Sequence, residues 1–234
     1  MITRLVLLPG MHGTAELFSE FMSRMPEPKH IEALHYPTDA CLSYAQLLGT
    51  VESCVPTTEP YILLAESFSA PLAIQFAGTN PPNLRGLILC AGFATSPIRG
   101  WRKSFASLIA PLAFRFPLPK VFVSRYLVGP DAPESLHASV RAAIRSVKPA
   151  VFAARFKQVL AVDARLALSR VSVPILYIQA LHDRMVGRAS LEEIRAIKPQ
   201  IEVARIDGPH LILQRGPPQA AEAVAVFIRQ LASD

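Results

Sequence analysis

The chain has 234 residues, of which 51% are hydrophobic and 18% charged, enough apolar material for one domain with a buried core and too little charge for a disordered one. Its net charge of +6 is uneven: residues 99–165 carry a local balance of +9 and the remainder −3, which argues against a distributed nucleic-acid-binding surface. Three cysteines, Cys41, Cys54 and Cys90, form neither an even disulfide framework nor a metal-ligand spacing, and they fit a reducing, cytoplasmic setting.

The chain opens on Met1-Ile2-Thr3-Arg4-Leu5-Val6-Leu7-Leu8-Pro9-Gly10. Its apolar core is too short for a signal peptide and is stopped by proline-glycine, so Arg4 to Leu8 is expected as a first strand. No apolar run approaches the roughly 20 residues that cross a bilayer. After the first run, apolar and β-branched stretches alternate with stretches of helical period. Helix is expected over Ala15 to Met25, strand over Ile31 to Tyr36, helix over Leu42 to Cys54, strand over Tyr61 to Ala65, helix over Ser69 to Ala77 and strand over Leu84 to Ala91. The rhythm breaks from Ile98 to Arg165, a proline-punctuated helical stretch, and resumes with strand at Pro174 to Ala180, helix at Ser190 to Ile197, strand at Ile201 to Ile206 and helix at Pro218 to Leu231. Strands alternating with helices imply an α/β fold, a mainly parallel six-stranded sheet with helices on both faces. Residues 1–98 and 166–234 form the core in this reading, and 99–165 an inserted helical cap.

In such sheets chemistry gathers at the carboxyl ends of the strands. Ser67 lies there, in Ala65-Glu66-Ser67-Phe68-Ser69, between an apolar strand and a helix. That is the context in which a serine is lifted on a strained turn as a nucleophile, although a serine there can also be a plain helix cap. Both glycines of the usual G-x-S-x-G turn are replaced, by residues still small enough for close packing. Asp183 follows the fifth strand and His210 the sixth, which supplies the order Ser…Asp…His. In this assignment His210 takes the Ser67 proton and Asp183 holds the imidazole tautomer. Asp207, three residues before His210, is a rival acid; Asp183 is preferred because it has its own strand end and Val186 to anchor its loop. His182 is expected to face away from the site. The glycine-bearing loop Leu8-Pro9-Gly10-Met11-His12-Gly13-Thr14 can present the Met11 amide beside that of Phe68 as an oxyanion hole. It lacks the spacing of a phosphate or dinucleotide loop. His12 is expected to brace it.

With these residues in place the chain resembles the α/β-hydrolase superfamily, and within it small bacterial carboxylesterases. The resemblance covers the first loop, the Ser67 elbow, the Asp183 loop and Pro209-His210. It implies a six-stranded core, a cap after the fourth strand and an acyl-enzyme mechanism without metal or cofactor. Serine at the nucleophile position sets the chain apart from relatives that use aspartate there. Thioesterase or acyltransferase chemistry on the same triad, or a non-catalytic small-ligand-binding protein on this fold, are the alternatives. The expected partner is a small ester with an apolar acyl group, with no nucleic acid and no stable membrane insertion; the oligomeric state is left open. The inserted segment carries eight aromatic residues among its basic ones, Trp101, Phe105, Phe114, Phe116, Phe122, Tyr126, Phe152 and Phe156, and its inner face is expected to form an apolar acyl pocket over Ser67. Its basic residues are read either as a solvated outer face or as a surface drawn to anionic lipid.

Overall fold

The computed structural model describes residues 4–26, 30–116 and 118–233; Met1–Thr3, Pro117 and the side chain of Arg102, all used in the sequence reading, lie outside them. Six strands form one sheet: β1 (Arg4–Leu8), β2 (His30–Ala33), β3 (Tyr61–Glu66), β4 (Leu84–Cys90), β5 (Ile175–Ala180) and β6 (Glu202–Ile206). Their order is β2-β1-β3-β4-β5-β6 and every neighbouring pair is parallel.

Burial explains the composition of each strand. All six residues of central β3 are buried, as a strand covered on both faces requires, whereas edge strand β2 alternates between exposed and partly buried positions. Successive side chains point to opposite faces. Val6 and Leu8 of β1, with Leu63 and Ala65 of β3, therefore pack under α2 (Tyr44–Cys54) and α3 (Ala70–Ala77). Leu5 and Leu7, with Ile62 and Leu64, pack under α1 (Ser19–Arg24) and α11 (Pro217–Ser233), where Phe21, Phe227 and Ile228 close that layer. The second helix starts where its chemistry directs, since Ser43 and Gln46 form a reciprocal capping box. Cys90 is a buried core residue, while Cys41 and Cys54 are exposed; all three are free thiols.

Two elements differ from the expectation. The helix expected over 15–25 is a 3₁₀ turn at Glu16–Phe18 followed by the short α1. The second strand ends at Ala33 rather than at Tyr36. Tyr36 is drawn away from the sheet: its N–H donates to the Gly13 carbonyl and its hydroxyl bonds the Ser69 hydroxyl at 2.7 Å.

Between β4 and β5 run α4 (Trp101–Ala113), α5 (Lys120–Phe122) with a π-helical turn (Val123–Val128), α6 (Glu134–Arg145), α7 (Pro149–Ala161) and α8 (Arg165–Arg170). This segment packs on the sheet domain through small apolar clusters. One joins Val123, Val128 and Val140 to Leu17 and Leu211; another joins Val151 and Phe152 to Met11. After β5 come α9 (Arg188–Ile197), β6 and α10 (Ile212–Arg215). Among the described residues no helix is long and apolar enough to cross a membrane.

Candidate active site

Ser67 directly follows β3 with φ of +49°, in the left-handed region that a non-glycine residue enters at a cost of about 1–3 kcal/mol. The surroundings hold that turn from every side. The Tyr44 hydroxyl donates to the Phe68 carbonyl at 2.8 Å, and the Ser69 hydroxyl donates to the Pro9 carbonyl while meeting Tyr36. Ala65 and Ser69, the small residues that replace the usual glycines, are both fully buried. The result is a partly exposed Ser67 between a buried strand and a buried helix.

The other two candidates meet it. His210 Nε2 lies 2.9 Å from Ser67 Oγ, and His210 Nδ1 lies 2.8 Å from Asp183 Oδ2. An ionised carboxylate only accepts, so Nδ1–H donates to Asp183 and Nε2 is left to accept from the serine hydroxyl. The remaining Asp183 oxygen accepts from the N–H groups of Met185 and Val186 at 2.7 and 2.8 Å, and Val186 is buried beneath that loop. Burial by itself disfavours a charged His210. The Asp183 carboxylate, through its charge and its hydrogen bond, and the charge of Glu66 outweigh burial and raise the imidazole above its ordinary pKa. The rival acid is elsewhere: Asp207 is 82% exposed and pairs with His182, itself 70% exposed, at 2.8 Å.

The first loop lies beside the serine, with Gly10, Met11 and Phe68 lining the same cavity as Ser67 and His210. His12 braces it as expected. Its Nδ1 accepts from the Thr14 N–H, which leaves the proton on Nε2, 3.6 Å from Glu66 Oε2. Glu66, the residue before Ser67, is fully buried, and among the described residues neither of its oxygens accepts a hydrogen bond.

Sequence reasoning missed one residue of the site. Arg155, on α7, is 3% exposed; it donates from Nη1 to the Met11 carbonyl and from Nη2 to the Pro37 carbonyl, both at 2.8 Å, with its guanidinium 5.8 Å from the centre of the Tyr36 ring. Gly13 makes room for it. A Cβ there would stand 2.5 Å from Arg155 Nη1, and the Gly13 φ of +75° already disfavours any other residue. The sole hint in the sequence is a glycine in the first loop, and nothing near position 155 signals its partner.

Above Ser67 lies a cavity of about 510 Å³ with almost wholly apolar walls. Phe114, Phe122, Tyr126, Phe152 and Phe156 line it and give the segment the apolar inner face expected of it. Trp101, Phe105 and Phe116 do not: they are 75%, 56% and 67% exposed, because they stand on the outer side of the roof. A larger polar cleft of about 970 Å³ lies beyond the 181–184 and 206–209 loops, and neither Ser67 nor His210 lines it. Among the described residues no group of His, Cys, Asp and Glu is arranged to hold a metal ion.

No family model matches the chain. In sequence it is 27% identical, over an alignment of 241 residues, to the biotin biosynthesis bifunctional protein BioHC of Cellvibrio japonicus (strain Ueda107). That alignment covers 96% of this chain and 45% of the relative, so the chain spans about half the length of the curated protein it matches. In structure it is similar to an esterase from Exiguobacterium antarcticum, with a TM-score of 0.83, 14% identity and coverage of 97% of this chain and 92% of the other. MenH from S. aureus superposes with a TM-score of 0.81 at 12% identity, covering 98% and 94%. The enol-lactonase from Burkholderia xenovorans LB400 gives 0.77 at 14%, covering 100% and 92%. Likeness at such identities is a likeness of fold.

Proposed function

We propose that this chain, an α/β-hydrolase by fold, is a serine hydrolase that cleaves carboxylic esters. The observation that carries the reading is the unbroken relay from Asp183 through His210 to Ser67, opening on an apolar cavity. In the proposed cycle His210 Nε2 takes the Ser67 proton as Oγ attacks the ester carbonyl carbon. The amides of Met11 and Phe68 receive the developing oxyanion, and Asp183 steadies the imidazolium. His210 then returns the proton to the departing alcohol oxygen, leaving an acyl-serine. Water, deprotonated by His210, attacks that ester and releases the acid, and the proton goes back to Ser67.

Cavity volume and wall chemistry favour a short to medium apolar acyl chain, since a pocket of this size holds a small molecule and has few polar groups to satisfy. Residues 99–165 act as the cap in this reading and the remainder as the catalytic core. A cytoplasmic setting rests on the free thiols. The esterase and the lactonase among the similar structures, which by name act on esters and enol-lactones, are in keeping with acyl transfer to water.

Ser67→Ala tests the proposal. It is expected to abolish hydrolysis of p-nitrophenyl esters and labelling by a fluorophosphonate probe, with the circular dichroism spectrum unchanged. Retained hydrolysis would overturn the assignment. A parent protein that neither hydrolyses nor labels would point to a ligand-binding role. Thioesters and lactones belong in the same screen, because the triad serves them equally.

A further inference from the structure

Helix α4 is apolar on two sides. Ala106, Ile109, Ala110 and Ala113 line the cavity above Ser67. On another side Trp101, Phe105, Leu108 and Leu112 recur at the helical period and are 75%, 56%, 79% and 60% exposed. Phe116, 67% exposed, follows three residues after the end of the helix. A row of large apolar side chains left in solvent marks an interaction surface.

Charge indicates what covers it. From Ser67 to Pro130 the sequence contains no Asp or Glu, while residues 99–125 supply Arg99, Arg102, Lys103, Arg115, Lys120 and Arg125. Lys103 and Arg115 are exposed, whereas Arg99 and Lys120 are paired with Glu193 and Glu134. An apolar row on a helix within an acid-free basic stretch matches the two layers of an anionic lipid surface, acyl chains beneath and phosphates above. We propose that α4 docks this protein on an anionic lipid surface, with Phe105, Leu108 and Leu112 entering the boundary between headgroups and acyl chains. Ile109 is 42% exposed and also lines the cavity, so apolar contact runs from that surface towards Ser67. The docking stands apart from the reaction; only the delivery of an ester by this route rests on the hydrolase reading.

Flotation of the full chain carrying Ser67→Ala tests the docking without any turnover. The vesicles are phosphatidylcholine alone and phosphatidylcholine mixed with phosphatidylglycerol. The protein is expected to float with the anionic vesicles, to bind the neutral ones weakly, and to be released by salt. Leu108→Glu with Leu112→Glu should cut flotation by about tenfold or more, since both charges would enter the acyl boundary. Lys103→Glu with Arg115→Glu should remove the preference for anionic lipid. Thermal melts check the fold of each variant. Hydrolysis of a water-soluble ester by the same variants, with Ser67 intact, should be unchanged and reports on the reaction separately. Absence of flotation with both vesicles overturns the docking, as does equal flotation of parent and Leu108/Leu112 variant. Equal binding to neutral and anionic vesicles overturns the anionic choice. If sedimentation shows a dimer that the Leu108/Leu112 pair dissociates, and no flotation, the face binds a second copy instead of lipid.

Discussion

Below the cavity, Ser67, Asp183 and His210 are held by neighbours on every side: the Asp183 side chain is 4% exposed and that of His210 6%, and each polar atom of the relay has a partner. Above it, α4 has one residue, Ala110, buried among those described, while large apolar side chains stand in solvent. The floor is organised by hydrogen bonds whose geometry tolerates little error, as the proposed proton relay would require. The roof is organised by apolar contact, which is non-directional and tolerates sliding. Substitution should therefore act on the two regions in different ways, through rate at the floor and through surface behaviour at the roof.

The largest expected effect lies on the floor. Asp183→Asn should lower kcat on p-nitrophenyl esters by roughly 10⁴-fold through the wrong imidazole tautomer. Asp207→Asn, on an exposed pair with His182, should leave kcat within about twofold, since surface pairs contribute about 0–1 kcal/mol. Equal losses at both positions would break the assignment of the acid. Next comes the strut between floor and roof. Arg155→Met strands the Met11 and Pro37 carbonyls; it should reduce kcat by about 10- to 100-fold through misplacement of the first loop. Urea unfolding of the same variant should show a loss of about 2–3 kcal/mol. An unchanged kcat would mean that the loop holds its shape without the arginine.

A smaller effect should appear in the pH profile. In the proposed cycle the base works as neutral imidazole, and His210 is raised above its ordinary pKa, so it stays protonated to a higher pH than a free histidine. On acidification the kcat/KM of the parent should fall with a midpoint above about 6.5. Glu66→Gln removes one of the charges that raise it and should move that midpoint down. A midpoint that stays in place would show that Asp183 outweighs burial without help from Glu66. The smallest effect belongs to the roof. Leu108→Ser should change stability by no more than about 0.5 kcal/mol and leave soluble-ester kcat unchanged, because the side chain is 79% exposed. A severe loss would mean that this face is covered.

The same contrast decides what could be read from the residues. Ser67, Asp183 and His210 were legible because each follows a strand, and a parallel sheet brings such positions to one edge; the six strands were legible from their apolar runs. Arg155 was not, since its burial depends on Gly13, far away in the chain, and a lone arginine on a helix looks solvated. The outward turn of Trp101, Phe105 and Phe116 was equally hidden, because aromatic content does not reveal how a helix is rotated over its support. The early end of β2 was lost for a related reason: the pull of Ser69 on Tyr36 acts across the fold and leaves no local mark.

Gly13 and Arg155 form a lock whose two halves lie on different parts of the chain. Anyone grafting foreign helices between β4 and β5 of this scaffold, or transplanting this segment elsewhere, must move both halves together. A guest segment without the guanidinium leaves two carbonyls bare, and a host loop with any side chain at position 13 collides with it. Exchange of the inserted helices is thus a two-site design problem, and libraries that vary them alone should be dominated by proteins with a displaced first loop.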